Sequence, residues 1–170
     1  MPFIGIISKE NDCNFVKNTI CKNSKINKFE IVNINKKSLE NIKNVKFDIL
    51  VINDTIEKLL ANSNYLEELI KKSSYVIVNS DIKNNLAALK NVNTNIITYG
   101  FNAKATITIS SIKDESILIC IQRGIKNIHN SLIEEQEFYI EIEKNNVNKL
   151  YNVLIIFTIL AIYGEILQKI

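Results

Sequence analysis

Few side chains in this sequence can carry out acid–base or nucleophilic chemistry. The 170 residues include one histidine, His129, which is the only side chain that ordinarily titrates near neutral pH. It lies in a polar segment between predicted strands, so we expect a solvated loop histidine rather than a catalytic base. No Gly-x-Ser-x-Gly nucleophile motif is present. The sequence therefore predicts no catalytic residue.

Zinc binding and disulfide bonding are equally poorly supported. Cys13, Cys21 and Cys120 form no Cys-x-x-Cys pair, and four Cys or His ligands cannot be assembled at a usual zinc spacing. An odd number of cysteines without a signal peptide is typical of free thiols in a reducing cytoplasm. We therefore expect a cytoplasmic protein without a metal site and without a cofactor.

Two polar side chains are the best candidates for ligand binding. Asn79 and Asp81 follow the predicted strand Tyr75–Val78, and ligands of doubly wound sheets lie outside the carboxyl ends of strands. The alternative is turn chemistry, in which Asp81 caps a helix that begins near Ile82. Asp54 also follows a strand, and we expect it to cap the next helix rather than to bind a metal.

Five short apolar runs predict the strands that would position these residues. Each run is rich in Ile and Val and is apolar on both faces, as in parallel strands that are covered on both sides. The runs are Phe3–Ile7, Phe29–Ile34, Phe47–Ile52, Tyr75–Val78 and Asn95–Tyr99. The spacers between them are helix-length or nearly so, most clearly Thr55–Lys72. This rhythm predicts an α/β fold with a doubly wound, mostly parallel sheet of about five strands.

The pattern changes after Gly100. Ala103–Ile112 and Glu137–Glu143 alternate between apolar and polar residues, and Ser116–Gln122 follows the first of them after a short turn. This spacing predicts a small antiparallel β unit within the same compact domain. We expect one domain over residues 1–170, with a parallel part at 1–100, antiparallel strands at 101–145 and a C-terminal helix in 146–170.

The last apolar segment, Leu150–Tyr163, is apolar nearly all round. A membrane span needs about 20 apolar residues. Asn152 and Thr158 interrupt the run and Glu165 follows it, so we expect a buried helix, with a membrane tail as the alternative.

Composition excludes several other classes of protein. Hydrophobic residues make up 46% of the chain, which is too many for a disordered protein. The net charge of +3 is spread over scattered lysines, without the basic stripe and interleaved aromatic residues that nucleic-acid binding requires. We therefore expect neither a nucleic acid nor a membrane as a partner.

Three stretches of the chain occur in a familiar order. The first joins Tyr75–Asp81 to Ile97–Gly100, the second is the strand Ala103–Ile112, and the third is Asn146–Asn152 before the apolar helix. In this order and spacing they resemble the central, ATP-binding domain of the Mur ligases, the peptidoglycan-precursor amide ligases. The resemblance implies a Mur ligase central-domain-like fold. It also makes Asn79, Asp81 and Asn152 residual nucleotide-site candidates.

The resemblance fails at the phosphate-binding loop. That loop, Gly-Thr-x-Gly-Lys-Thr/Ser in the family, needs glycines so that backbone N–H groups face the phosphates, a lysine for the phosphates and a hydroxyl for Mg²⁺. Here Ile7 is followed by Ser8-Lys-Glu-Asn-Asp-Cys13, which contains no glycine. On the simplest alignment Asp12 replaces the lysine and Cys13 replaces the hydroxyl.

The sequence therefore predicts a non-catalytic, Mur ligase-like domain that acts through protein contacts or by binding a small molecule weakly. The expected partners are a second copy of the chain or a cell-wall-related protein. The alternative is an ATP-dependent acid–amino-acid ligase, or a subunit of one, linked to cell-wall precursor synthesis. That alternative would use ATP and Mg²⁺ beside Asn79, Asp81 and Asn152.

Overall fold

The parallel half of the predicted sheet is confirmed. The computed structural model describes residues 1–26, 28–42, 44–55, 63–86, 89, 92–143, 146 and 149–170. Five parallel strands span Phe3–Ile7 (β1), Glu30–Ile34 (β2), Ile49–Ile52 (β3), Tyr75–Asn79 (β4) and Asn95–Tyr99 (β5). All four residues of β3 are buried, because a central strand is covered on both faces.

The antiparallel strands extend this same sheet. They span Ile107–Lys113 (β6), Ser116–Ile121 (β7) and Gln136–Glu141 (β10), and a separate small ribbon pairs Ile125–Lys126 (β8) with Leu132–Ile133 (β9). A single parallel pair, Tyr99 with Ile107, joins β6 to β5. The result is one eight-stranded sheet in the order β10-β7-β6-β5-β4-β3-β1-β2.

Strand β6 departs from simple alternation at Ser110. The pairing with β7 shifts between Ile109 and Ser111, as expected of a β-bulge. After the bulge Ile112 pairs with Ile117, so the two side chains share a face of the sheet, and Ile112 is 50% exposed near the end of its strand.

The helices cover both faces of the sheet, as the doubly wound arrangement requires. They span Glu10–Asn23 (α1), Leu39–Ile42 (α2), Ser63–Lys72 (α3) and Leu150–Ile162 (α4). Buried residues of α1 and α4 belong to one core cluster, and those of α2 and α3 belong to a second cluster. The predicted helix Thr55–Lys72 is confirmed over Ser63–Lys72, and its residues 56–62 lie outside the described part of the chain.

The predicted burial of the C-terminal helix is confirmed. Every residue from Asn152 to Ile162 is buried, and the Thr158 hydroxyl donates to the Leu154 carbonyl at 2.7 Å. The helix ends at Gly164, whose φ of +78° suits glycine, and the Glu165 amide donates back to the Leu160 carbonyl. Among the described residues, no helix is long and apolar enough to cross a membrane.

The strand order fixes where polar groups can meet. The chain runs outward from β1 to β2, returns to β3 on the other side of β1, and then continues through β4 and β5. This reversal creates a switch point between β1 and β3, and ligands of open α/β sheets bind outside the carboxyl ends of the strands at such a point.

Candidate functional site

A cavity of about 420 Å³ lies at the carboxyl ends of β1, β3 and β4. We call it the carboxyl-end cavity. Its lining includes Lys9 and Asp12 after β1, Asn53 and Asp54 after β3, Asn79 at the end of β4 and Asp81 beyond it, and Lys149, Tyr151 and Asn152 around the start of α4. The three residues singled out from the sequence, Asn79, Asp81 and Asn152, therefore line one cavity at the switch point.

The junction between β1 and α1 is very short. Only Ser8 and Lys9 lie between the two elements. The backbone amides of Asp12 and Cys13 both donate to the Lys9 carbonyl at 3.1 Å, so regular helix begins at once. No glycine-rich loop separates strand and helix, and Glu10 and Asp12 place carboxylates in the first helical turn. Two residues are too few to form the loop of consecutive N–H groups that wraps a triphosphate.

Asn152 binds a carboxylate at this junction. Its Nδ2 group donates to Asp12 Oδ1 at 2.8 Å, which ties α4 to α1. Asn152 is 4% exposed, so this hydrogen bond satisfies a buried amide. Beside it, Lys149 places its Nζ atom 4.1 Å from the centre of the Phe15 ring, a cation–π contact.

Asp81 accepts hydrogen bonds from three other residues. Its carboxylate receives the backbone amides of Phe101 at 2.7 Å and Asn102 at 3.2 Å. It also receives Asn102 Nδ2 at 2.6 Å and the Tyr151 hydroxyl at 3.0 Å. These contacts join the end of β4 to the segment after β5 and to α4. The predicted helix near Ile82 is wrong, because residue 82 lies in a bend and residues 83–86 form turns, so the strand end is followed by turns instead of a capped helix.

Gly100 is required by this arrangement. A Cβ atom at residue 100 would lie 2.8 Å from both carboxylate oxygens of Asp81. Such a distance is below van der Waals contact, so any larger residue would displace the carboxylate. The Gly100 of the resemblance motif therefore has a structural reason in this chain.

Asn79 belongs to a second, adjoining set of contacts. Asn53 Oδ1 accepts from the Tyr99 hydroxyl at 2.6 Å and from Asn79 Nδ2 at 3.3 Å. Asn79 Oδ1 in turn accepts from the Asp81 backbone amide at 3.0 Å. Asn79 and Tyr99 are 3% and 0% exposed, so these bonds satisfy buried polar groups.

The electrostatics of the cavity follow from these contacts. Burial alone would raise the pKa of Asp81, but hydrogen bonds from Asn102, the Phe101 amide and Tyr151 hold that pKa below its ordinary value of 3.8. Burial, the hydrogen bond to Asp81 and the charge of Asp81 raise the pKa of Tyr151 to about 12. Burial also raises the pKa of Tyr99 well above its usual range. Asp81 is thus ionised and both phenols are neutral donors at neutral pH.

Metal binding receives no support at this cavity. Asp54 Oδ1 accepts from the Thr55 amide at 2.7 Å, and residues 56–62, where the predicted helix would begin, lie outside the described part of the chain. Within the described ranges, no group of three His, Cys, Asp or Glu side chains is placed to hold a metal ion. The three cysteines are free thiols, and Cys13 is buried in the core.

Sequence reasoning missed several members of the cavity. Asn53, Tyr99 and Tyr151 take part in its hydrogen bonds, and Lys9 supplies an ammonium group at its edge. Asn53 follows a predicted buried strand directly, so the rule that led to Asn79 would also have found Asn53. His129 is exposed in the turn between β8 and β9, as expected of a solvated histidine.

The cavity offers amide and carboxylate groups together with two ammonium groups, and its carboxylates outnumber its cations. It can hydrogen-bond a small polar molecule, but most of its acceptors already have protein donors.

No protein-family model matches the sequence, and no curated protein matches it.

Proposed function

We propose that this chain is a cytoplasmic, non-catalytic domain of the Mur ligase central-domain type that binds a small polar molecule weakly in the carboxyl-end cavity. The order of the three motif stretches supports the family. The meeting of Asn79, Asp81 and Asn152 in one cavity at the switch point supports the site.

One observation carries the non-catalytic part of the proposal: helix α1 begins directly after Ser8 and Lys9. Phosphoryl transfer depends almost entirely on positioning and charge stabilisation of the phosphates. Asp12 offers a negative charge where a lysine would be needed, and Asn152 holds that carboxylate in place. Two like charges about 4 Å apart repel by about 4 kcal/mol at an effective dielectric constant of about 20.

The charges of the cavity indicate the class of small molecule. Lys9 and Lys149 line the cavity together with the carboxylates of Asp12, Asp54 and Asp81. This mixture of charges suits a zwitterionic group, such as the peptide part of a muropeptide, better than a triphosphate. Binding is weak on this proposal because Asp81, Asn53 and Asn79 hydrogen-bond protein groups instead of a ligand.

Protein contacts are the second mode of action in this proposal. Ile112, Leu132 and Tyr139 are at least half exposed, which leaves apolar surface for a second copy of the chain or a cell-wall-related protein. Analytical ultracentrifugation over a wide concentration range tests self-association. A protein that stays monomeric throughout removes the second copy from the proposal.

A competing candidate is an ATP-dependent acid–amino-acid ligase, or a subunit of one. Lys9 and Lys149 favour it, because both can approach a phosphate in the cavity that holds Asn79, Asp81 and Asn152. This candidate requires Mg-ATP to bind at residues 8–13.

Calorimetric titration with Mg-ATP and, separately, with a UDP-linked muropeptide distinguishes the two candidates. We expect no saturable heat from Mg-ATP and weak, saturable heat from the muropeptide. Asn152→Ala should abolish the muropeptide signal, whereas Asp114→Asn, in the exposed turn after β6, is the matched control and should leave it unchanged. Saturable binding of Mg-ATP to the wild-type chain would contradict the non-catalytic proposal.

A further inference from the structure

A second cavity lies at the opposite end of the parallel strands. It has a volume of about 450 Å³, and we call it the amino-end cavity. Pro2 precedes β1, Asp48 precedes β3 and Tyr75 begins β4, while Ile128 and Tyr163 close the cavity from the β8–β9 turn and the end of α4. No residue of the carboxyl-end cavity lines it.

The Tyr163 side chain presents a buried polar atom at this cavity. Its hydroxyl is inaccessible and has no hydrogen-bond partner in the described part of the chain. The residue is 9% exposed, and its ring packs edge-on against Phe29 with the ring centres 5.3 Å apart. The backbone amide of Tyr163 donates to carbonyl groups in the last turn of α4. A buried hydroxyl without a partner costs stability, and such groups commonly mark a ligand site.

The lining of the amino-end cavity selects a positive charge. Asp48 supplies a carboxylate, of which Oδ2 accepts the Phe3 amide at 2.8 Å. Among the described residues of the lining there is no lysine, arginine or histidine, and Met1 contributes the one amino group. The carboxyl end of α4 adds the negative end of a helix dipole. Burial and the nearby Asp48 charge raise the pKa of Tyr163, so its phenol stays neutral and its oxygen can accept a hydrogen bond.

We propose that the amino-end cavity binds a small organic amine in its protonated form. The ammonium group donates to the Asp48 carboxylate and, after a small shift of the Tyr163 side chain uncovers it, to the Tyr163 hydroxyl oxygen, and the tyrosine rings of the cavity favour a cation nearby. A short alkyl chain on the amine contacts Pro2, Tyr75 and Ile128. This site is independent of the proposed function, because it lies at the other end of the sheet.

The test uses n-butylamine hydrochloride as the probe and n-butanol as the neutral control of the same shape. Titration of the full chain, followed by amide NMR shifts, should show saturable changes at Ile128 and Tyr163 with the amine but none with the alcohol. Equal responses to amine and alcohol, or no saturable response to the amine up to high millimolar concentration, would overturn the proposal. If the amine gives no saturable response, water is the only partner left for the Tyr163 hydroxyl.

Two isosteric variants locate the ammonium group. Tyr163→Phe removes only the hydroxyl and Asp48→Asn removes only the charge, so each should weaken amine binding at least about tenfold. Asp114→Asn is the matched control and should bind the amine like the wild type. Unchanged affinity in Tyr163→Phe, with its thermal transition intact, would count against the site. Should Asp48→Asn not fold, the amine and alcohol comparison on the wild type still decides.

Discussion

The two ends of the parallel sheet carry cavities of similar size and opposite character. At the carboxyl end the Asp81 carboxylate meets donors from three other residues, and Asn53 meets two more. At the amino end the Tyr163 hydroxyl has no donor or acceptor among the described residues. The two cavities therefore differ in the state of their polar groups and not in volume. Satisfied groups hold elements together, whereas an unsatisfied group invites a ligand.

This difference suggests a structural role for the residues that resemble the Mur ligase motif. Asp81 and Gly100 belong to the stretches that resemble the Mur ligases, yet in this chain their contacts are with protein groups. A motif that holds strand ends in place has a reason to persist in a chain without a phosphate-binding loop. On our proposal, the fold of the family and its chemistry separate at this point.

The largest expected loss of stability comes from removing the hydrogen bonds of Asp81 at the carboxyl end of the sheet. Asp81→Ala leaves two backbone amides, the Asn102 side chain and the Tyr151 hydroxyl without their acceptor, so we expect a loss of about 2–3 kcal/mol in the free energy of unfolding. Urea denaturation measures this loss, with Asp114→Ala in the exposed hairpin turn as the control. A loss equal to that of the control would show that these hydrogen bonds do not stabilise the fold.

The pH dependence of stability tests the charge of the Asp81 carboxylate while the side chain keeps its shape. The pKa of Asp81 is lower in the folded chain than its ordinary value of 3.8, so its ionised form stabilises the fold at neutral pH. That contribution is lost as the pH falls from about 4 through the folded pKa. Asp81→Asn should therefore lose less stability than the wild type over this acid range in urea denaturation at a series of pH values. Parallel curves would contradict the assignment.

Gly100→Ala sharpens the comparison by acting on Asp81 indirectly. The new methyl group would push the carboxylate from its donors, so we expect a loss of about 1–2 kcal/mol. Most of that loss should vanish when Asp81 is already alanine, because neighbours that share an interaction are not additive. A double-mutant cycle by urea denaturation measures the coupling. Additive losses would mean that Gly100 serves another purpose.

Local sequence patterns predicted the parallel half of the fold closely. The runs of Ile and Val gave Phe3–Ile7 and Asn95–Tyr99 with the observed bounds, because a strand covered on both faces needs apolar residues throughout. The place of the antiparallel strands was not predicted, since their link to β5 is the single pair Tyr99 and Ile107. Nor was the bulge at Ser110, which the sequence marks with no glycine.

The candidate site was predicted in position but not in its contacts. The strand-end rule placed Asn79 and Asp81 correctly, because the carboxyl ends of parallel strands share an edge of the sheet. The partners of Asp81 are 20 and 70 residues away along the chain, and no local pattern reports such pairs. For the same reason the sequence predicted Tyr163 only as the last residue of an apolar helix. No local pattern indicates that its hydroxyl is buried without a partner among the described residues.

The smallest expected effect has the opposite sign and lies at the unsatisfied end. Tyr163→Phe removes a buried hydroxyl that has no partner in the described ranges, so the free energy of unfolding should rise by up to about 1 kcal/mol or stay unchanged. Urea denaturation in amine-free buffer measures it, with Tyr99→Phe as the comparison, because the Tyr99 hydroxyl donates to Asn53 and its removal should destabilise. Equal losses of unfolding free energy in Tyr163→Phe and Tyr99→Phe would mean that both hydroxyl groups are hydrogen-bonded to the same extent. A gain in Tyr163→Phe alone, reversed in sign when saturating amine is added, would show that the hydroxyl serves a ligand at a cost in the stability of the free protein.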